Sequence, residues 1–171
     1  MTRTALLAGL AAAALSACRP AAAPVSPPPR PHPVAPLAAG PLPAPPAWAQ
    51  PFIGRILTQA LPQKESCIGN VDHRLARYAG PPAGASVGGW GWEKETRRPV
   101  QRILLTDETQ RVWGAGEAAN DERPDVPKFD PQVLSQRTGW RGLAAGTSGL
   151  VLAWGLIEDG KAICPLGEME L

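Results

Sequence analysis

Few side chains in this sequence are placed to do covalent or acid–base chemistry. The thiols are Cys18, Cys67 and Cys164, and the only histidines are His32 and His73. A serine nucleophile needs a base within reach, yet no Gly-x-Ser-x-Gly elbow occurs, and His73 falls in the first predicted strand. The carboxylates of Asp107 and Glu108, and those of Asp121, Glu122 and Asp125, lie in predicted turns. Acidic residues in turns are ordinarily solvated, so a carboxylate pair held around a substrate is not expected. No cysteine sits in a Cys-x-x-Cys or Cys/His spacing, which argues against thiol redox catalysis and a zinc site. The reading is a non-catalytic chain with no metal and no cofactor. What remains is a structural role for the thiols. In a secreted chain the pair Cys67 and Cys164 suits a disulfide. Closing a loop of roughly 97 residues stabilises by about 4 to 5 kcal/mol in the chain-entropy model.

Cys18 has a different setting. Arg3 makes the start basic, Ala5 to Leu15 is an apolar run, and small residues crowd the position before Cys18. This is the three-part pattern of a secretory signal peptide over residues 1–17. The apolar run is shorter than the about 20 residues that cross a bilayer as a helix. The ending Leu15-Ser16-Ala17-Cys18 resembles the lipobox of bacterial lipoproteins. That resemblance implies cleavage before Cys18 and acylation of its thiol, giving a membrane anchor. Each buried methylene adds about 0.8 kcal/mol, so several acyl chains hold a membrane far better than one. Arg19 stands where an Asp would mark inner-membrane retention, so the resemblance points to the outer membrane with the domain in the periplasm.

Between the anchor and the folded region the chain is Pro- and Ala-rich, and 14 of its 21 prolines lie between Pro20 and Pro62. Proline fixes φ and lacks an amide donor, so residues 18–49 read as a disordered spacer without helix or sheet. Such a segment favours polyproline II, rising about 3.1 Å per residue, and the stretch from Arg19 to Trp48 reaches roughly 90 Å. Pro27 to Pro29 and Pro43 to Pro46 are alternatives for docking in an aromatic groove.

Residues 50–171 read as one small domain. Arg3, Arg19 and Arg30 lie upstream of it, so it carries 14 basic against 15 acidic residues, a net of −1. A nucleic-acid partner needs concentrated positive charge and is not expected. Short apolar runs separated by Gly, Pro and Asp predict strands near 66–72, 85–92, 100–106, 111–117, 139–143, 150–158, 161–164 and 166–169. Residues 51–61 suit a short helix or a lead-in segment. Asp159-Gly160 predicts a two-residue type I′ turn between the last long strands. From 150 to 157 both faces are apolar, with the small residues Ala153 and Gly155 on one of them. Trp90 and Trp92 share a face, backed by Gly89 and Gly91. Two sheets packed over tryptophans predict an all-β, immunoglobulin-like β-sandwich of about seven to eight short strands.

The order of motifs strengthens this. GGWGWE at Gly88 to Glu93 is followed by the strand pair RILLTDETQRVWG, by RPDV at Arg123 to Val126, by TGWRG at Thr138 to Gly142 and by DGKAIC. Across roughly Cys67 to Leu171 this resembles an immunoglobulin-like module recurring at the ends of bacterial membrane and surface proteins. The module's pattern is Gly-Trp-Ala-x-Asp, a hairpin, Arg-Pro-Asp-Val, then Ser-Gly-aromatic; Gly91, Glu93 and Thr138 depart from it. The resemblance implies a fold and an envelope setting. Asp125 is placed to start the helical turn suggested by VPKFDPQVL, and Arg123 and Asp125 to brace their loop as an ion pair. Trp92, Trp113, Trp140, Arg123 and Asp125 are the candidate ligand contacts. Two functions follow as expectations: an interaction or scaffold domain meeting an envelope protein, or a glycan or peptidoglycan binder stacking sugars on exposed tryptophan.

Overall fold

The structure is a computed structural model that describes residues 36–38 and 40–171. Its strands are β1 (Leu37–Ala38), β2 (Cys67–Tyr78), β3 (Gly84–Glu93), β4 (Arg98–Pro99), β5 (Arg102–Thr106), β6 (Val112–Ala118), β7 (Gly139–Ala144), β8 (Leu150–Ile157) and β9 (Ala162–Glu170). Two one-turn helices complete it, α1 (Leu57–Ala60) and α2 (Val126–Phe129). The fold is all-β, open and sandwich-like, as the alternating apolar runs predict.

The strands form one hydrogen-bonded sheet in the order β1-β2-β3-β7-β6-β5-β8-β9, with β4 on the end of β3. Among the described residues the β1–β2 ladder is parallel and the other ladders are antiparallel, with a single parallel bridge between Gln63 and Ile163. The sheet folds over until its far strands meet. Cys67 on β2 is bonded to Cys164 on β9, with the two Cα atoms 5.6 Å apart. No ladder joins β2 to β9, so side chains close this seam: the disulfide, Leu166 packed at Gly69, and Arg74 donating to the Glu170 carbonyl.

The predicted strands 161–164 and 166–169 are one strand. Pro165, between the two predicted segments, pairs with Trp154 on the edge strand beside a register shift, a position where proline is tolerated. β2 runs six residues beyond the prediction, to Tyr78, and two register shifts bend it on the way. The Asp159-Gly160 turn is also longer than predicted. Ile157 pairs with Ala162, leaving four residues in the loop, and Glu158, Asp159 and Gly160 all take positive φ.

Burial follows strand parity, and it reverses one expectation. The small and β-branched face turns inward: Val71, Ala85, Val87, Ile103, Leu105, Val151, Ala153 and Ile157 join Trp140 and the disulfide in the central core. Gly155 backs directly onto Cys164 and Val100, the close approach its missing side chain permits. Trp90, Trp92 and Trp154 point the other way, outside the roll. Their cover comes from two excursions of the chain. Residues 48–61 lie over Leu104, Trp154, Leu156 and Ile163, and Val126 and Val133 lie over Trp90 and Trp92. Trp154 also donates its indole N–H to Thr106 Oγ1 at 3.1 Å in this buried layer.

The folded unit begins upstream of residue 50. Leu37 and Ala38 pair with Arg77 and Tyr78, and Arg77 N–H donates to the Pro36 carbonyl. The segment Ala47–Ala49 forms a 3₁₀ turn, with Ala49 fully buried. Trp48 donates to Glu117 at 2.6 Å and lies under the Arg102 guanidinium, 5.4 Å from the ring centroid. The sequence predicts a spacer without sheet or helix over residues 18–49. Proline removes its own donor but not its carbonyl or its neighbours' amides, and those make the contacts here.

Candidate functional site

Of the candidate ligand contacts, Arg123 and Asp125 are brought together. They lie on the loop between β6 and β7, where Pro124 and the single turn of α2 carry the chain across Trp90. Arg123 Nε and Nη2 donate to the two Asp125 oxygens at 3.0 and 2.7 Å, a bidentate pair. Arg123 Nη1 donates to Asp72 on β2, whose other oxygen accepts from Asn70 Nδ2 at 2.9 Å. The loop is therefore pinned to the sheet through one mostly buried guanidinium. The hydrogen bond to Asp125 outweighs burial and holds the Arg123 pKa well above its ordinary value. Asp125 was expected to cap α2; instead it makes no side-chain cap bond, because both its oxygens serve Arg123.

A groove of about 600 Å³ runs along this brace, lined by Gly69, Asn70, Asp72, Trp90, Arg123, Asp125, Val126 and Phe129. Phe129, the last residue of α2, is 84% exposed at its lip. Leu134, at the far end of the same loop, is 56% exposed beside a second groove of about 310 Å³. Phe129 and Leu134, with Leu37, are the large apolar side chains left exposed among the described residues, and these two share one loop. All the guanidinium nitrogens of Arg123 are engaged, so the brace is not a free anion clamp.

The tryptophan candidates separate. Trp92 and Trp140 are 2% and 1% exposed, so neither presents a stacking face. Trp92 lies beneath Val126 and Val133, and Trp140 fills the central core. Trp113 is half-buried at the edge of an apolar cavity of about 340 Å³, together with Leu42, Pro43, Pro45 and Ile53. The residues of 42–45 roof it, so a flat sugar platform is not assembled there either.

The carboxylates weighed for catalysis are tied into structure. Asp107 accepts from Thr109 N and Oγ1 and from Arg111 N at 2.8, 2.6 and 3.0 Å. Burial pushes its carboxyl up, but these bonds, led by the Thr109 hydroxyl, hold it below its ordinary value. Asp121 pairs with Arg141, and Glu122 lies 3.7 Å from Arg137. A polar groove of about 650 Å³ between β4 and the β8–β9 turn mixes Glu93, Arg98, Arg102, Glu158 and Asp159 without histidine or cysteine. Among the described residues no three metal-ligating side chains gather, and no helix is long and apolar enough to cross a membrane. The signal peptide, Cys18 and the Pro27 to Pro29 run lie outside the described residues.

Asp72 and the pair Phe129 and Leu134 were not singled out from sequence. Nothing in spacing links Asp72 to Arg123, 51 positions away. Phe129 carried a faint signal, an aromatic between Lys128 and Asp130 with proline at 127 and 131. No family model, curated protein or solved structure matches this chain.

The brace has a pH signature. Arg123 holds the Asp125 carboxyl below its ordinary value of 3.8, against burial. The unfolded chain therefore takes up this proton first, so the pair's stabilisation is complete above that value and fades as pH falls through the folded pKa. Arg123→Ala is expected to cost about 2 kcal/mol at pH 7, where it strands Asp72 and Asp125. Urea midpoints at pH 7 and pH 3 check this: the gap between wild type and variant should narrow in acid. An unchanged gap would show that the carboxylates draw nothing from Arg123.

Proposed function

We propose that this chain is a lipid-anchored bacterial envelope protein whose β domain is a non-catalytic interaction module. The address rests on the sequence: a signal peptide, a lipobox-like ending at Cys18 and Arg19 after it point to acylation and the outer membrane. The motif order, which resembles that of envelope β-sandwich modules, supports that setting. A disulfide between Cys67 and Cys164 suits an oxidising compartment.

The observation that carries the interaction reading is Phe129, 84% exposed on a loop that Arg123 locks to the sheet. A rigid loop presents an apolar side chain at little entropic cost, the preorganisation that protein recognition uses. The glycan reading draws less support, because Trp92 and Trp140 are buried and Trp113 is roofed.

A photo-crosslinking residue at position 129 in intact cells tests this. A discrete protein adduct is expected from 129 and none from the same probe at the exposed turn residue Glu108. No adduct from 129, together with tryptophan fluorescence shifted by muropeptides or soluble saccharides, would replace the protein-partner reading with the glycan one. Mass spectrometry of the mature chain should find acyl groups on an N-terminal Cys18, and an unmodified thiol there would remove the anchor.

A further inference from the structure

The loop from Val126 to Leu134 stands between two grooves of opposite charge. The groove beside Phe129 presents Asn70, Asp72 and Asp125, and with Arg123 counted its charge is net −1. The groove beside Leu134 is lined by Trp92, Lys94, Arg97, Pro131 and Gln132, with no carboxylate. Neither Lys94 nor Arg97 makes an ion pair among the described residues. Glu93, in the same hairpin, accepts from Thr96 and lines the polar groove instead. Lys128 and Asp130 flank Phe129 and offset one another.

Trp90 lines one groove and Trp92 the other, and both lie on the same side of β3 beneath Val126 and Val133, so both halves of a complementary contact lie on one side of the sheet. On a two-fold axis through the loop, Phe129 of one copy would face Leu134 of another, and each negative groove would face the Lys94 and Arg97 of the other copy. A self-complementary patch of this kind defines an isologous interface. We propose that the partner this face takes is a second copy of the chain, forming a weak two-fold homodimer. The proposal rests on the interaction reading above and names its partner. The dimer is weak because two apolar side chains and two small grooves fall short of the roughly 800 Å² per partner of a stable interface. Tethering on one surface raises the effective concentration and favours such a contact.

Sedimentation velocity on the full-length protein in density-matched detergent, over a concentration series, reads the equilibrium. A concentration-dependent dimer is expected, weakening as salt is added. Asn70→Lys brings the negative groove from a net −1 to 0 and removes the Asn70 bond to Asp72, and Lys94→Glu with Arg97→Glu reverses the other; all three residues are exposed, and none bonds Arg123 itself. Each variant alone should raise the dimer midpoint at least tenfold. An equimolar mixture should restore dimers in part, because the mixed pair keeps one wild-type contact, the negative groove of one variant against the unchanged Lys94 and Arg97 of the other. Near-UV circular dichroism confirms that each variant keeps its tertiary packing. A wild type that stays monomeric, variants that dimerise unchanged, or a mixture that fails to restore association would each overturn the proposal. A monomeric purified chain with a discrete in-cell adduct from 129 to another protein would remove the second copy and leave the interaction reading standing. No adduct from 129 would remove that reading itself.

Discussion

Replacing Cys67 and Cys164 together by alanine should lower the unfolding free energy by about 4 to 5 kcal/mol, most of the stability of an ordinary small domain. Two features make the loss large. The bond closes a separation of 97 residues, so its removal frees nearly the whole domain in the unfolded state. It also joins β2 and β9, the strands that meet without a ladder, where packing of Leu166 at Gly69 and of Gly167 against Asn70 and Val71, with the Arg74 bond to the Glu170 carbonyl, otherwise holds the seam. Urea unfolding followed by tryptophan fluorescence measures the difference, and wild type with a reductant should reproduce it. A loss below about 1 kcal/mol would mean that the unfolded chain is already restricted without the bond.

Gly89→Ala should cost about 3 kcal/mol or more, from one methyl group. Gly89 lies on β3 opposite Val71, and a Cβ there would overlap the Asn70 carbonyl oxygen and lie 2.8 Å from the Trp140 ring. A carbonyl in a ladder cannot rotate away, so the two central strands must separate or the core tryptophan must move. The adjacent position supplies the control. At Gly88 a Cβ would meet the His73 and Leu75 side-chain ends at 3.2 and 3.3 Å, groups able to shift, and the Trp140 carbonyl at 3.3 Å, an approach far less severe than the overlap at Gly89. Gly88→Ala should therefore cost no more than about 1 kcal/mol. Thermal and urea unfolding of the two variants decide the matter. Equal losses would show that the tight approach of β2 to β3 is not what position 89 protects.

Much of this was legible beforehand. The strand runs came from alternation and from Gly, Pro and Asp punctuation, and all eight predicted segments overlap the seven long strands, the last two both within β9. The short helical turn after RPDV is α2, and Arg123 does pair with Asp125. Errors clustered where proline was read as a stop. Pro165 sits inside β9, and Pro36 lends its carbonyl to Arg77. Parity correctly put Trp90 and Trp92 on one face, but the period of two cannot say whether that face looks into the roll or out of it. A strand with one aromatic and one glycine face can be filled from either side.

The sequence by itself determined the class of fold, the disulfide partners and the absence of a recognisable catalytic motif, because these depend on local periodicity, residue counts and motif chemistry. Tertiary structure alone decided the rest. It turned the small-residue face inward, laid residues 48–61 and 126–133 over the outward tryptophans, and set Asp72 beside Arg123. It also left Phe129 and Leu134 exposed while Val126 and Val133 on the same loop were buried. Which apolar residues find cover depends on contacts between segments distant in the chain, and no local pattern encodes the space those segments leave.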